Sequence, residues 1–234
     1  MTVFRRIAFG EPKPGGQQFA GLLAKGLAES VTYCNRVGPL LHDRVTDLPY
    51  SFPDIGLDLI HPVPMKFVSA APDPSDSGTF SYHHIELYQQ GALVAQLDPM
   101  HIECVNLCAA IYDDTIAKWD ARFDTSSVSW AVKAEASRSY VVFRGSKVLI
   151  DWLNDVVAID PDRMAASVAF GSMWGGFMIG VSDAWTAIKP LISQAKEVVF
   201  TGHSLGAAHA DIAAAYAICD ASKTAPPALE KVAT

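Results

Sequence analysis

Residues 198–216 read Val-Val-Phe-Thr-Gly-His-Ser-Leu-Gly-Ala-Ala-His-Ala-Asp-Ile-Ala-Ala-Ala-Tyr. An apolar, β-branched run leads into Gly-x-Ser-x-Gly at 202–206, and an alanine-rich stretch with helical propensity follows. The pentapeptide alone is a weak signal, because its fixed residues are common. A strand before it and a helix after it make it specific. In that setting the chain turns so sharply at Ser204 that only small residues fit at Gly202 and Gly206. Ser204 then stands at a helix N-terminus, where unpaired N–H groups and the positive end of the helix dipole face an oxyanion forming on an attacked carbonyl. The Leu205 N–H is the first such donor. The pattern predicts Ser204 as a nucleophile rather than a plain N-cap serine.

Upstream of the elbow, residues 140–146 read Tyr-Val-Val-Phe-Arg-Gly-Ser, 151–155 Asp-Trp-Leu-Asn-Asp and 174–177 Trp-Gly-Gly-Phe. Together with Gly-His-Ser-Leu-Gly, and in this order, these segments resemble the class 3 lipases, the fungal-type triacylglycerol lipases and their relatives. The resemblance implies an α/β-hydrolase fold and hydrolysis of carboxylic esters, acylglycerols foremost, through an acyl-enzyme on Ser204. It implies that Ser146, after the Phe-Arg-Gly stretch, supplies a second oxyanion-hole donor beside Leu205. Lipid or small ester substrates and contact with a lipid interface follow from it; no cofactor and no metal do. Many members carry His-x-Gly-Phe where this chain has Trp174. Val148, Leu149, Trp152, Leu153 and Val156 recur at helical spacing and read first as a core-facing stripe, second as an interfacial lid.

A serine hydrolase also needs a base and a carboxylate, which in this fold follow in the order Ser, Asp or Glu, His. Only 30 residues follow Ser204, with His209, Asp211, Asp220 and Glu230 among them. His209 would lie about 140° around a helix and about 7.5 Å along it from the serine, facing away. His203 reads as a packing residue of the elbow. His42, His61, His83, His84 and His101 lie upstream, where that order gives them no place. The expectation is therefore a hydrolase whose triad Asp and His are missing from the chain, with Leu229–Thr234 opening a next strand and the sheet incomplete at the C-terminus. A hydrophobic edge left so would invite self-association. The alternative reading is a non-catalytic fragment or binding scaffold that retains the fold. An acyltransferase, recognised by capture of the acyl group by an added alcohol, is a third.

Half of the 234 residues are hydrophobic and 18% are charged, with a formal net charge of −7. Such an acidic chain without a Lys/Arg cluster argues against nucleic acid and anionic membrane surfaces as partners. No apolar stretch is long enough to span a membrane, and Met1–Gly10 has no apolar run after Arg5 and Arg6 to act as an export signal. Localisation stays open, cytoplasmic by default although related lipases are often secreted. Cys34, Cys104, Cys108 and Cys219 are too scattered for a disulfide framework. His101, Cys104 and Cys108 share a helical face but lack a second ligand pair, so core packing is the reading.

The chain divides near residue 80: residues 1–80 form an N-terminal extension of unassigned role, Pro-rich at 48–78, and 81–234 a partial hydrolase domain. Gln17–Ser30 shows a short helical pattern. His83–Tyr88 and Ala92–Leu97, flanking Gln-Gln-Gly, read as a hairpin. Helices are expected at Met100–Trp119 and Met173–Ile192, and strands at Ser127–Lys133, Tyr140–Arg144 and 198–201. Alternating strands and helices imply a mostly parallel sheet with helices on both faces.

Overall fold

The computed structural model describes residues 2–38, 41–48, 60–76, 78, 80–113, 118–125, 127–146, 164–167, 171–222 and 230–231. Its main sheet contains β1 (Val3–Phe9), β2 (Glu29–Asn35), β3 (Met65–Val68), β4 (Ala121–Asp124), β5 (Ser129–Ala134), β6 (Arg138–Arg144) and β9 (Glu197–His203). Their spatial order is β3-β2-β1-β9-β6-β5-β4. The first five run parallel, while β5 pairs antiparallel with β6 and β4 antiparallel with β5. Short strands β7 (Met164–Ser167), β8 (Gly171–Trp174) and β10 (Glu230–Lys231) form a second sheet in the order β10-β7-β8. This is the mostly parallel α/β-hydrolase arrangement.

Six helices are described: α1 (Gln17–Gly26), α2 (Ile85–Val94), α3 (Pro99–Ala110), α4 (Gly175–Met178), α5 (Val181–Leu191) and α6 (Leu205–Ala221). The strand period of two sends alternate residues to two cores. Val198, Phe200, Val141 and Phe143 join Phe19 of α1, Ile188 of α5 and the alanines of α6 on one face. Val199, Tyr140, Val142, Ile7 and Phe9 join Tyr88 of α2 and Val105 of α3 on the other. With both faces covered, β6 and β9 read as continuous apolar runs. Helix α6 is buried from Gly206 to Cys219, which accounts for a composition apolar all round. At the start of α3 the Asp98 side chain accepts from the Met100 amide, with Pro99 in the first turn.

Several expectations are corrected. Residues 1–80 do not stand apart as an extension: they supply β1, β2 and β3, and β1 pairs with the elbow strand β9 over its whole length, Val3 opposite Glu197 through Phe9 opposite His203. The edge expected beside the elbow strand is thus occupied from within the chain. Residues 83–97 form no hairpin but a 3₁₀ turn (Ser81–His83) and helix α2. Within the Pro-rich stretch Met65–Val68 forms a strand, just after its fourth proline. The helix expected at Met173–Ile192 begins as β8 and is split into α4 and α5 at Gly180, whose φ is 77°. The stripe and lid readings at 148–156 lie outside the described residues.

Beta strand β1 carries Arg6, wholly buried between Glu11 and Asp211 of α6, with Arg6 Nη1 donating to Thr32 Oγ1 at 2.7 Å. Thr32 in turn donates to Glu11 Oε2 at 2.6 Å. Burial raises both carboxyls, and the Arg6 charge opposes it; Glu11 ends well below the usual range and Asp211 well above, the neighbouring Glu11 adding to the rise at Asp211. One cation so serves two buried carboxyls. Removing one partner of a buried ion pair typically costs about 3–5 kcal/mol, because the remainder is left unpaired. Arg6→Met is expected to lower the unfolding free energy by about that much, read from the urea midpoint at pH 7.

On α6, His209 lies edge-on to Phe143, and its buried Nδ1 has no partner among the described residues. Burial lowers its pKa from 6.5 to about 4. The unfolded chain binds this proton as the pH falls below 6.5, whereas the folded chain refuses it until about 4. The stability tied to His209 is therefore full above 6.5 and is lost on acidification, at up to about 1.4 kcal/mol per pH unit. His209→Leu should flatten the decline of unfolding free energy between pH 6.5 and 4, measured by urea melts across that range.

Candidate active site

The elbow at the end of β9 is built by close approach. A Cβ at Gly202 would overlap the Gly206 carbonyl, and one at Gly206 would overlap the carbonyl of Phe143 on β6. With side chains excluded there, the backbone folds back directly into α6. Ser204 takes φ 60° and ψ −135°, a conformation costing about 1–3 kcal/mol in a non-glycine residue. Its amide donates to the Phe9 carbonyl at the end of β1, at 3.1 Å. Its Oγ is buried and has no hydrogen-bond partner among the described residues. Leu205 is the first residue of α6, so its N–H has no acceptor within the helix.

Beside the elbow lies the end of β6. Phe143 is paired with Gly202, and a Cβ on Gly145 would stand 2.9 Å from Ser204 Cβ. Ser146 follows and is half-buried. The structure thus brings the ends of β6 and β9 together, with Ser146, Ser204 and Leu205 on adjoining segments.

On the other side of β9, β1 ends at Phe9 and the chain turns at Gly10, where φ is 56°. A methyl group there would stand 2.7 Å from Asp43 Oδ2 and 2.9 Å from His83 Cε1 and Nδ1. The residue next to the one that holds the Ser204 amide therefore lies against a histidine and a carboxylate. Asp43 follows β2 and His83 follows β3, in the loops at the same ends of the parallel strands. His83 Nδ1 is 2.6 Å from Asp43 Oδ2. The same oxygen accepts from Tyr88 Oη at 2.5 Å, and Asp43 Oδ1 accepts from the Val45 amide at 2.9 Å. Burial alone would raise the Asp43 carboxyl; the His83 ring and these hydrogen bonds outweigh it and hold the pKa below the usual carboxylate value. An ionised Asp43 makes Nδ1 the protonated ring nitrogen, which leaves His83 Nε2 as an acceptor. That Nε2 is buried and has no partner among the described residues.

Asn35, the last residue of β2, clamps the loop carrying His83. Its amide nitrogen donates to the Ala70 and Tyr82 carbonyls at 2.9 and 3.2 Å, and its oxygen accepts from the Ala70 amide at 2.9 Å. His84, by contrast, is exposed and pairs with Asp76 at 3.0 Å.

The candidates downstream of Ser204 are engaged elsewhere. His209 faces Phe143, Asp211 pairs with Arg6, and Asp220 meets Lys189 Nζ at 2.8 Å and Trp185 Nε1 at 2.9 Å. Glu230 lies in β10 against β7. His203 is more than packing: its Nε2 is 2.7 Å from the His83 carbonyl, and the two rings stack at 4.5 Å. His101 bridges Tyr33 Oη and Glu29 at 2.8 and 3.1 Å, and the four cysteines are buried free thiols. No group of three or more metal-ligating side chains occurs among the described residues.

Asp43 and His83 both precede Ser204, whereas the sequence expectation places the acid and the base after the serine. The observed chain order, Asp43, His83, Ser204, is the order Ser, Asp, His read cyclically from a different start. Strand adjacency decides which loops meet, and β1 to β3 occupy the flank of β9 where strands following the elbow were expected. A local signal is present in the two adjacent histidines at 83–84, but nothing local ties them to Asp43.

No curated protein and no solved structure matches this chain. Residues 140–233 match the family model of lipase (class 3). This match takes in β6 from Tyr140, the elbow and α6, and with the mostly parallel sheet it makes that part of the chain similar to the class 3 lipases, a family of lipid ester hydrolases.

Proposed function

We propose that the chain hydrolyses carboxylic esters of lipids through an acyl-enzyme on Ser204, with His83 as base, Asp43 as the carboxylate that orients it, and the amides of Ser146 and Leu205 as the oxyanion hole. The observation that carries this reading is the His83–Asp43 pair with His83 Nε2 left open, in contact with the residue after Phe9, whose carbonyl holds the Ser204 amide. Two buried polar atoms without partners among the described residues, a hydroxyl and an imidazole nitrogen, are costly to keep unless a reaction uses them.

In the first half-reaction Ser204 Oγ attacks the ester carbonyl carbon while its proton passes to His83 Nε2. The carbonyl oxygen, now negative, is met by the two amides. Asp43 stabilises the imidazolium without taking the proton. Collapse breaks the bond to the alkoxy group, which leaves as the alcohol after receiving the proton from Nε2. Water then repeats the sequence on the acyl-enzyme, its proton passing through His83 and the carboxylate product leaving Ser204 free. Apo geometry with the hydroxyl and Nε2 not yet bonded is ordinary for such sites.

The test is turnover of a short-chain p-nitrophenyl ester, together with labelling of Ser204 by a fluorophosphonate and location of the adduct by mass. Ser204→Ala is expected to reduce the rate to background and to abolish labelling. Equal rates in both proteins, with no adduct, would instead mean a scaffold that binds without turnover. Asp43→Asn keeps the shape but lets His83 adopt the wrong tautomer, and is expected to lower kcat by about 10⁴, with Ser204 still present and the fold retained by circular dichroism.

A further inference from the structure

A chain of hydrogen bonds passes behind the site, built from two residues the reaction above does not use. The Gly145 amide donates to Tyr112 Oη at 3.0 Å, and Tyr112 Oη is 3.3 Å from His203 Nδ1. His203 Nε2 is 2.7 Å from the His83 carbonyl oxygen. A carbonyl only accepts, so His203 carries its proton on Nε2 and its Nδ1 is the acceptor. The hydroxyl of Tyr112 must then donate to Nδ1. Every member points the same way: Gly145 N–H to Tyr112 Oη, Tyr112 O–H to His203 Nδ1, His203 Nε2–H to the carbonyl of His83.

The ends and the middle of this chain adjoin the three parts of the proposed reaction. Gly145 precedes Ser146, the proposed oxyanion donor. His203 precedes Ser204. His83 is the proposed base, and the His203 ring lies on its face at 4.5 Å with an interplanar angle of 26°. We infer that Tyr112 and His203 are positioning residues: through this one-way relay they set the place of the Ser146 amide and of the His83 ring relative to Ser204. The inference rests on the function proposed above.

Two features suit His203 to the part. It is buried at the junction of β9 and α6, and the rings of Tyr88 and Tyr112 stand edge-on to it at 5.7 and 6.1 Å, which restricts its movement. Burial, reinforced by the neighbouring His83, lowers its pKa to about 3. The ring therefore stays neutral and does not repel the imidazolium that forms on His83 during turnover. Aligned hydrogen bonds also polarise one another in a low-dielectric interior, so the relay resists distortion more than its separate links would.

Tyr112→Phe removes the single oxygen that joins the two halves and keeps the ring. Misplacement by about 1 Å can cost on the order of a hundredfold in rate, so kcat is expected to fall roughly tenfold to a hundredfold with KM unchanged. A residue that only stabilised the fold would lower the unfolding midpoint and leave kcat and KM of the folded protein as they were; that result, or an unchanged kcat, overturns the inference. A second measurement needs no variant: ¹⁵N spectra of the histidines at pH 7 should show His203 as the neutral tautomer protonated on Nε2. An Nδ1-protonated ring or an imidazolium overturns the relay, since neither can accept from Tyr112. If the unaltered protein shows no Ser204-dependent turnover, the proposed function fails, and the tautomer alone decides whether the relay exists.

Discussion

The parallel pairing of Val3–Phe9 with Glu197–His203 is the constraint on which the remaining arrangement rests. It sets the end of the first strand beside the end of the elbow strand, so that the Phe9 carbonyl takes the Ser204 amide and Gly10 turns against Asp43 and His83. In a parallel sheet all strand ends of one sense meet along one edge, and ligand sites form there. The loops after β1, β2, β3, β6 and β9 reach that edge from positions as far apart in sequence as Gly10 and Ser204. Closing them around one point needs no particular chain order, only the right neighbours. Arg6 reinforces the same junction from below, fastening β1 to α6 through Asp211.

Polar groups at this edge fall into two kinds. Asp43 is saturated by His83, Tyr88 and the Val45 amide, and Asn35 is saturated by the loop it clamps. Ser204 Oγ and His83 Nε2 are buried and have no hydrogen-bond partner among the described residues. Ser204 adds backbone strain to the cost of its unmade hydrogen bond. A fold optimised only for stability would relieve these features. Their concentration around one serine, beside the well-bonded Asp43 and Asn35, is what the proposed reaction requires of its site.

The elbow was legible because everything it needs is local: apolar strand, Gly202, Ser204, Gly206 and an alanine-rich helix within nineteen residues. Strands β5, β6 and β9 and helices α1 and α3 were legible for the same reason, through their runs and periodicities. Strand β1 was not, because Arg5 and Arg6 break its apolar pattern. Their partners, Glu197 and Glu29 for the first and Asp211 and Glu11 for the second, are supplied by the fold. Gly91 suggested a hairpin turn, yet it is the point where α2 presses on β3, a Cβ there standing 2.8 Å from Val68 Cβ. The meeting of Asp43 and His83 depends on β2 lying beside β1 and β3 beside β2, a long-range fact that no window of sequence contains.

In the proposed reaction Asp43, His83 and Ser204 act as one unit although the chain presents them in that order. The decisive measurement is a double-mutant cycle in ester hydrolysis that compares Ser204→Ala, His83→Ala and the double variant. Residues that act together lose nearly everything at the first removal, so the double variant is expected to be no slower than either single one. Losses that multiply, or an enzyme that retains its rate without His83, would contradict it.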